Sequence, residues 1–361
     1  MRGSLINVIR CMLKKTIEIV LIGPCMIQYL ARSFFMVKIV VDAMGGDLGS
    51  SIVVEAIEKF LQDNADVEIT VAGKKEELEA LQGKCRIIDA RDIVPMEAGA
   101  LEVMRLKNSS MMTAIKTMKD EHLDAVVSCG STGGFLSAAT INLKMIPGIK
   151  RAALIAPFPT QIKGKKVVLL DVGASNENSA EELAQFALMG RLYSQSVYDV
   201  EEPKIYLLSN GAEEGKGSPS SKEAFKILKE NKFPGFSGNV EARYALNGDA
   251  DVIVSDGFTG NVFLKSSEGI AKWMGDLVKK AFKKNLWAKL GYLHVRSGIK
   301  EMSETLDYKT TGGAMLLGVN GNVVKAHGSS DAFAFYHALR IAKLLAEKDV
   351  VNQIKKGLEN A

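Results

Sequence analysis

Val37-Lys-Ile-Val-Val-Asp42-Ala-Met-Gly-Gly-Asp47 decides the fold. Five residues of strand composition end on a carboxylate and run straight into a glycine turn, and a helical stripe follows at Ile52, Ala56, Ile57 and Phe60. Further strand-like runs lie at Val67–Ala72, Ala125–Ser128, Ala152–Ile155, Val167–Leu170, Ile205–Leu208, Val252–Ser255 and Met315–Val319. Most are continuously apolar rather than alternating, which predicts strands covered on both faces. Between them, Ser179-Ala-Glu-Glu182 forms a capping box ahead of Leu183, Phe186 and Ala187, and a last amphipathic helix is predicted over about 331–346. Strands alternating with helices give an α/β fold with a largely parallel, doubly wound sheet in an α/β/α sandwich. No internal repeat or low-complexity linker interrupts residues 36–361, so they read as a single domain.

The chemistry is expected where strands end. Val168-Leu-Leu-Asp171 runs into Val-Gly-Ala-Ser175, Val252-Ile-Val-Ser-Asp256 into Gly-Phe-Thr-Gly-Asn261, and Ala125-Val-Val-Ser128 into Cys-Gly-Ser-Thr-Gly-Gly134. Ligands of open α/β sheets bind beyond the carboxyl ends of strands, against helix N-termini. Glycines let backbone N–H groups approach an anion, and Ser or Thr add hydroxyls. With the Asp42–Asp47 turn, four such ends point to a phosphate-sized anion site; the purely structural reading is tight turns and helix caps. Standard nucleotide motifs fail. Gly211-Ala-Glu-Glu-Gly-Lys-Gly-Ser218 is one residue short of a Walker A loop, with Gly217 at the Ser/Thr position, and no G-x-G-x-x-G follows the first strand. Lys216 remains as a cation on a glycine-rich loop.

The chain has 361 residues and a net charge of +4. Residues 1–35 carry five basic groups against Glu18 alone, so residues 36–361 are neutral, which excludes a uniformly basic nucleic-acid binder. The apolar stretch Thr16 to Ala31 is broken by Glu18, Gly23-Pro24 and Gln28, too interrupted for a spanning helix. Residues 1–35 therefore read as an extension, with Met36 the expected working start. The four cysteines include no C-x-x-C pair, so no zinc site or disulfide framework is expected and a reducing cytoplasm fits. Cys129 reads as a small core residue rather than a nucleophile.

These segments, in this order, resemble the bacterial phosphate acyltransferase family, the acyl-acyl-carrier-protein:phosphate transacylases of phospholipid synthesis. The resemblance is carried by Asp42-Ala-Met-Gly-Gly-Asp47, Ser128-Cys-Gly-Ser-Thr-Gly-Gly134, Leu169-Leu-Asp-Val-Gly-Ala174 and Glu213-Glu-Gly-Lys-Gly217. Gly238-Asn-Val-Glu241, Ser255-Asp-Gly-Phe-Thr-Gly-Asn261 with its continuation Leu264 to Gly269, Gly312-Gly-Ala-Met-Leu-Leu-Gly318 and Lys325-Ala-His-Gly-Ser329 complete it. The family usually has Asn where this chain has Ser131, Ser175 and Ser209. Membership implies a fold similar to the isocitrate dehydrogenase/phosphotransacetylase type, no cofactor and no metal. It also implies acyl transfer from acyl-acyl-carrier protein to inorganic phosphate, and an acyl phosphate consumed by a membrane glycerol-phosphate acyltransferase.

The chemistry of the residues agrees with that implication. Phosphate is already an anionic nucleophile and a thiolate leaves readily, so the protein has only to position phosphate and stabilise an oxyanion. The expected phosphate and acyl-phosphate residues are Gly45, Gly46, Asp47, Gly130, Ser131, Thr132, Gly133, Gly134, Asp171, Gly173, Gly257, Thr259, Gly260 and Asn261; the expected catalytic residues are Lys216, Asp256 and His327. For each aspartate the alternative is a structural cap, and for His327 a packed or capping histidine.

Residues 272–300 hold eight basic side chains against Asp276, with an apolar stripe through Trp273/Met274, Leu277/Val278 and Ala281/Phe282. This basic amphipathic segment (262–300) is expected to protrude and to pair with a second copy, or to dock membrane lipid or carrier protein through Lys283, Lys284, Trp287, Lys289 and Leu290. The expected protein is a cytoplasmic, peripherally membrane-associated homodimer. Two rival readings are a metal- and NAD-dependent hydroxyacid dehydrogenase on a related fold, and a non-enzymatic membrane-surface scaffold for acyl-carrier protein.

Overall fold

The computed structural model describes residues 36–306 and 312–359; the extension at 1–35 lies outside the described residues. The first half of the sheet comes from β1 (Val37–Asp42), β2 (Val67–Gly73), β3 (Arg86–Asp89), β4 (Ala125–Ser128) and β5 (Ala153–Pro159). The rest comes from β6 (Lys166–Leu170), β7 (Ile205–Ser209), β8 (Phe236–Glu241), β9 (Val252–Val254), β10 (Ala314–Leu317) and β11 (Asn322–Lys325). Together they make one eleven-stranded sheet, ordered β3-β2-β1-β4-β11-β10-β5-β6-β9-β7-β8. Pairing is parallel within β3-β2-β1-β4-β11 and within β6-β9-β7-β8. Between these wings β10 is antiparallel to both β11 and β5, and β5 is antiparallel to β6.

That reversal decides where each strand ends. The two wings point in opposite directions, so the carboxyl ends of β1, β4 and β11 share one edge of the sheet while β6 and β9 end at the other. The glycine-rich turns after β1 and β4 thus sit at one edge and those after β6 and β9 at the other.

Helices cover both faces, as continuously buried strands require. On one face lie α1 (Ser50–Asp63), α5 (Ala180–Tyr198), α9 (Ala332–Glu347) and α10 (Val350–Glu359), around Phe60, Phe186, Tyr193 and Phe335. The other face carries α2 (Ala100–Arg105), α3 (Ser110–Asp120) and α4 (Thr132–Leu143), packed around Met111, Ile115 and Phe135. The predicted capping box is present: Ser179 Oγ accepts from Glu182 N at 3.2 Å, and the Glu182 carboxylate accepts from Ser179 N at 3.2 Å. α6 (Pro219–Glu230) follows the Lys216 loop.

α7 (Gly257–Lys283) does two jobs. Its first turn packs tightly on the loop after β6: a Cβ on Gly257 would sit 1.9 Å from Ser175 O, and one on Gly260 1.8 Å from Asp171 O. From there it runs back across the sheet, where Phe263 meets Phe158 of β5 edge-on at 5.5 Å. At about 1.5 Å per residue its 27 residues span roughly 40 Å. The distal part leaves the sheet and pairs with α8 (Leu286–Leu306), Phe282 packing edge-on against Tyr292 at 5.5 Å.

Candidate active site

A cavity of about 540 Å³ lies between the sheet and α7. Its polar end is formed by the carboxyl ends of the first wing: Asp47 after β1, Thr132 and Gly133 after β4, and Lys325, His327 and Ser329 after β11. Lys265 and Glu268 of α7 close it from above, and Leu154, Ala156, Phe158 and Leu264 form an apolar continuation.

Close approach of backbones builds the polar end. A Cβ on Gly45 would lie 2.5 Å from Gly130 Cα, so the loops after β1 and β4 touch where neither has a side chain. Ser128 Oγ donates to the Asp42 carboxylate at 2.7 Å across the β1–β4 pair, and Asp47 N donates to Gly328 O at 2.9 Å. Behind Gly46, the Cys129 thiol donates to Gly45 O at 2.7 Å; burial, then the Asp42 charge, pushes it up to about 12, so it is no thiolate nucleophile at neutral pH. Ser131 caps α4, accepting from Gly134 N at 3.3 Å and donating to Ala98 O at 3.1 Å. The N–H groups of Thr132 and Gly133 then head the helix, where donors have no intrahelical acceptor.

Lys325 is the central charge. Only 5% exposed, its ammonium donates to Ala326 O and shares its surroundings with Asp42 and Asp47. Burial brings its pKa down to about 8, partly opposed by Cys129, Asp42 and Asp47, so it is still mostly protonated at pH 7. His327 stands at the cavity mouth. Its Nδ1 accepts from Ser329 N at 3.2 Å and lies 2.9 Å from Ser329 Oγ, which assigns the proton of the neutral ring to Nε2. Desolvation lowers its pKa against the opposing charge of Glu268, with Lys325 and Lys265 lowering it further.

The predicted residues divide. Asp47, Thr132, Gly133, Gly173, Asn261 and His327 line the cavity. Gly45, Gly46, Gly130, Ser131 and Gly134 stand behind it and shape the loops. Asp171, Asp256, Gly257, Thr259 and Gly260 belong to the other edge. The buried Asp171 carboxylate accepts from the N–H groups of Leu154, Gly173, Ala174 and Ser175 at 2.8–3.0 Å, and from Ser175 Oγ at 2.8 Å. Asp256, expected to be catalytic, is the N-cap of α7, its oxygens accepting from Thr259 N at 2.8 Å and Thr259 Oγ1 at 2.9 Å. Lys216, the expected catalytic cation, is exposed on the loop between β7 and α6 and does not line the cavity. Sequence reasoning fixed on its glycine-rich loop, whereas the cations of the cavity are Lys325 and Lys265. Both stand inside the quoted segments, Lys325 closing a strand and Lys265 one helical turn after Asn261.

Of the three serines in place of Asn, Ser131 and Ser175 are hydrogen-bonded as described, while Ser209 Oγ is buried without a partner. Among the described residues no group of three or more His, Cys, Asp and Glu is arranged to hold a metal ion, and no helix is long and apolar enough to cross a membrane.

Two parallel wings joined through antiparallel strands, with a buried cation and an apolar cavity under one crossing helix, form a backbone architecture that solved phosphotransacylases share. The backbone is similar to a phosphotransacetylase from Streptococcus pyogenes, with a TM-score of 0.57 at 18% identity, covering 90% of this chain and 98% of that one. It is similar also to a branched-chain phosphotransacylase from Enterococcus faecalis, with a TM-score of 0.56 at 14% identity, covering 86% and 99%. Those likenesses carry the fold alone. The family described as fatty acid synthesis protein matches residues 37–353, and the chain belongs to it. The phosphate acyltransferase of an Exiguobacterium species is 40% identical over 326 residues, 89% of this chain and 98% of that protein. The phosphate acyltransferase of Staphylococcus saprophyticus is 38% identical over 328 residues, 90% of this chain and all of its own. The chain is thus an acyltransferase of this family.

Proposed function

We propose that the chain transfers a fatty acyl group from acyl-acyl-carrier protein to inorganic phosphate, and that Lys325 is the cation of the reaction. The observation supporting this reading is a buried ammonium at the boundary between a polar pocket and an apolar one. Phosphate binds against Lys325, the α4 N-terminus at Thr132 and Gly133, and the Ser329 hydroxyl. A helix start and a lysine together favour an anion of that size. A phosphate oxygen attacks the thioester carbonyl, forming the C–O bond and a tetrahedral oxyanion. Collapse of that oxyanion breaks the C–S bond, and the thiolate takes a proton from solvent or from the acid nearest it. Lys325 and Lys265 stabilise the negative charge that accumulates, in a site where low dielectric strengthens them. Asp47 offsets the positive charge of Lys325 between turnovers.

The test is phosphate-dependent release of the carrier-protein thiol. Lys325→Met should lower it by about 10²–10³ while the protein stays folded; release that is independent of phosphate would overturn the reading.

The helical hairpin supports a second element. Lys283, Lys284, Trp287, Lys289 and Leu290 are all exposed at its tip, Trp287 at 80%. Cations around apolar side chains suit an anionic membrane surface, from which the acyl phosphate passes to a membrane glycerol-phosphate acyltransferase. The exposed Trp273, Met274 and Leu277 nearer the sheet suit a second copy of the chain. The protein in this reading is a cytoplasmic dimer touching the membrane. Co-sedimentation with anionic vesicles should be lost in Trp287→Glu/Leu290→Glu; binding equal to wild type rejects the anchor.

A further inference from the structure

The sheet itself carries the boundary between charge and hydrocarbon. Strand register sets Asp42 opposite Ser128, Ser128 opposite Lys325, and Lys325 opposite Ala314. The next step of the β10–β5 register, in which Met315 faces Ile155, puts Ala314 opposite Ala156. Side chains paired across strands point to the same face, so these five residues form one row, and its last three, Lys325, Ala314 and Ala156, line the cavity beneath α7. The row reads carboxylate, hydroxyl, ammonium, methyl, methyl. Neighbouring strands lie about 4.8 Å apart, so the change from ammonium to methyl takes one strand spacing.

On β5, the alternation of two puts Leu154 and Phe158 on the same face as Ala156, one on either side, and all three line the cavity. The larger side chains wall a strip whose floor is methyl-sized. Leu264 and Ala271 of α7 line the cavity opposite. We infer that Ala314 and Ala156 form the floor of an acyl-chain track, and that their small side chains set how much chain next to the thioester passes beneath α7. This rests on the acyl-transfer reading above and adds which residues govern chain length. A chain leaving a carbonyl held at Lys325 has its first carbons over Ala314 and the following ones over Ala156. Bulk at either residue takes the volume that hydrocarbon needs, and does so only for substrates long enough to reach it.

Ala314→Leu and Ala156→Val test the track, with melting temperatures recorded for both. Palmitoyl- and acetyl-carrier protein are compared as thioester substrates at saturating phosphate. The ratio of kcat/KM for palmitoyl over acetyl should fall at least about tenfold in Ala314→Leu, since a lost or blocked methylene site is worth about 10–200-fold. A merely structural role would lower both substrates together; an unchanged ratio in both variants, with turnover retained, overturns the inference. Direct binding of cis-parinarate, a fluorescent long-chain fatty acid, separates the two readings. Parinarate binding that weakens about tenfold in the variants supports the track even if wild type releases no thiol from either substrate, in which case the acyl-transfer reading falls alone. Parinarate affinity equal in wild type and both variants, or no binding at all, overturns the track.

Discussion

The two edges of the sheet start from the same sequence signature and end in opposite roles. At one edge, Asp42 and Asp47 flank a glycine turn whose neighbours leave a buried ammonium facing a cavity. At the other, Asp171 and Asp256 also precede glycine-rich turns, yet their oxygens are occupied by backbone N–H groups and by hydroxyls of their own loops. A strand-end aspartate beside glycines is a chemical possibility at both places. What decides is whether the following chain turns back to satisfy the carboxylate or leaves room for something else to enter.

The comparison breaks most readily at Lys325. Lys325→Met should lower phosphate-dependent turnover by about 10²–10³, the effect of removing one preorganised charge donor. The same change should raise the melting temperature by a few degrees, because the fold disfavours this ammonium relative to water. Lower activity together with lower stability would contradict the assignment. Asp171→Ala should move stability in the opposite direction. It leaves several buried N–H donors without an acceptor, and the denaturation midpoint should report a loss of at least about 3 kcal/mol. A variant with wild-type stability would remove Asp171 from its structural role.

A pH profile sharpens the contrast. Lys325 has a folded pKa of about 8 against 10.5 for an ordinary lysine. Turnover should therefore fall as pH rises through about 8. Between about 8 and 10.5 the unfolded chain binds more protons than the folded one, so the contribution of this group to stability rises with pH over that window. Activity and stability thus move in opposite directions, and Lys325→Met should flatten both trends.

Smaller effects are expected at the residues sequence reasoning favoured. Asp256→Ala removes a helix cap, for a cost of about 1 kcal/mol in thermal or chemical denaturation, and turnover of the folded protein should stay within about threefold. Lys216→Ala should change turnover by less than about twofold, as expected of an exposed charge away from the reacting atoms. A tenfold loss in steady-state assays would bring its loop into the reacting complex.

The parallel wings were legible because buried strands such as Ile39-Val-Val and Val168-Leu-Leu are continuously apolar and end on turn residues. Arg86–Asp89 and Phe236–Glu241 escaped: they are the two edge strands, and their faces are only partly buried. Asn322–Lys325 escaped for a different reason. Four residues bounded by Asn and Lys do not register as a central strand, yet this one lies between β4 and β10. With β11 unseen, Lys325 had no place in the sheet, and a lysine on an exposed glycine loop drew attention instead. The reversal at β10 and β5 was equally out of reach, since strand direction depends on which partner a strand meets. Capping Ser179, by contrast, acts within one turn of chain and could be read directly.

α7 joins parts that sequence analysis treated separately. Lys265 and Glu268 over the cavity and Lys283 at the hairpin tip lie on one uninterrupted rod, held at its foot by Gly257 and Gly260. A rod pivoting at its foot moves every point in proportion to distance: Glu268, about 16 Å along, shifts by roughly two-fifths of the displacement of the tip at about 40 Å. Geometry alone makes the hairpin a lever, and whatever grips its far end bears mechanically on the roof of the cavity.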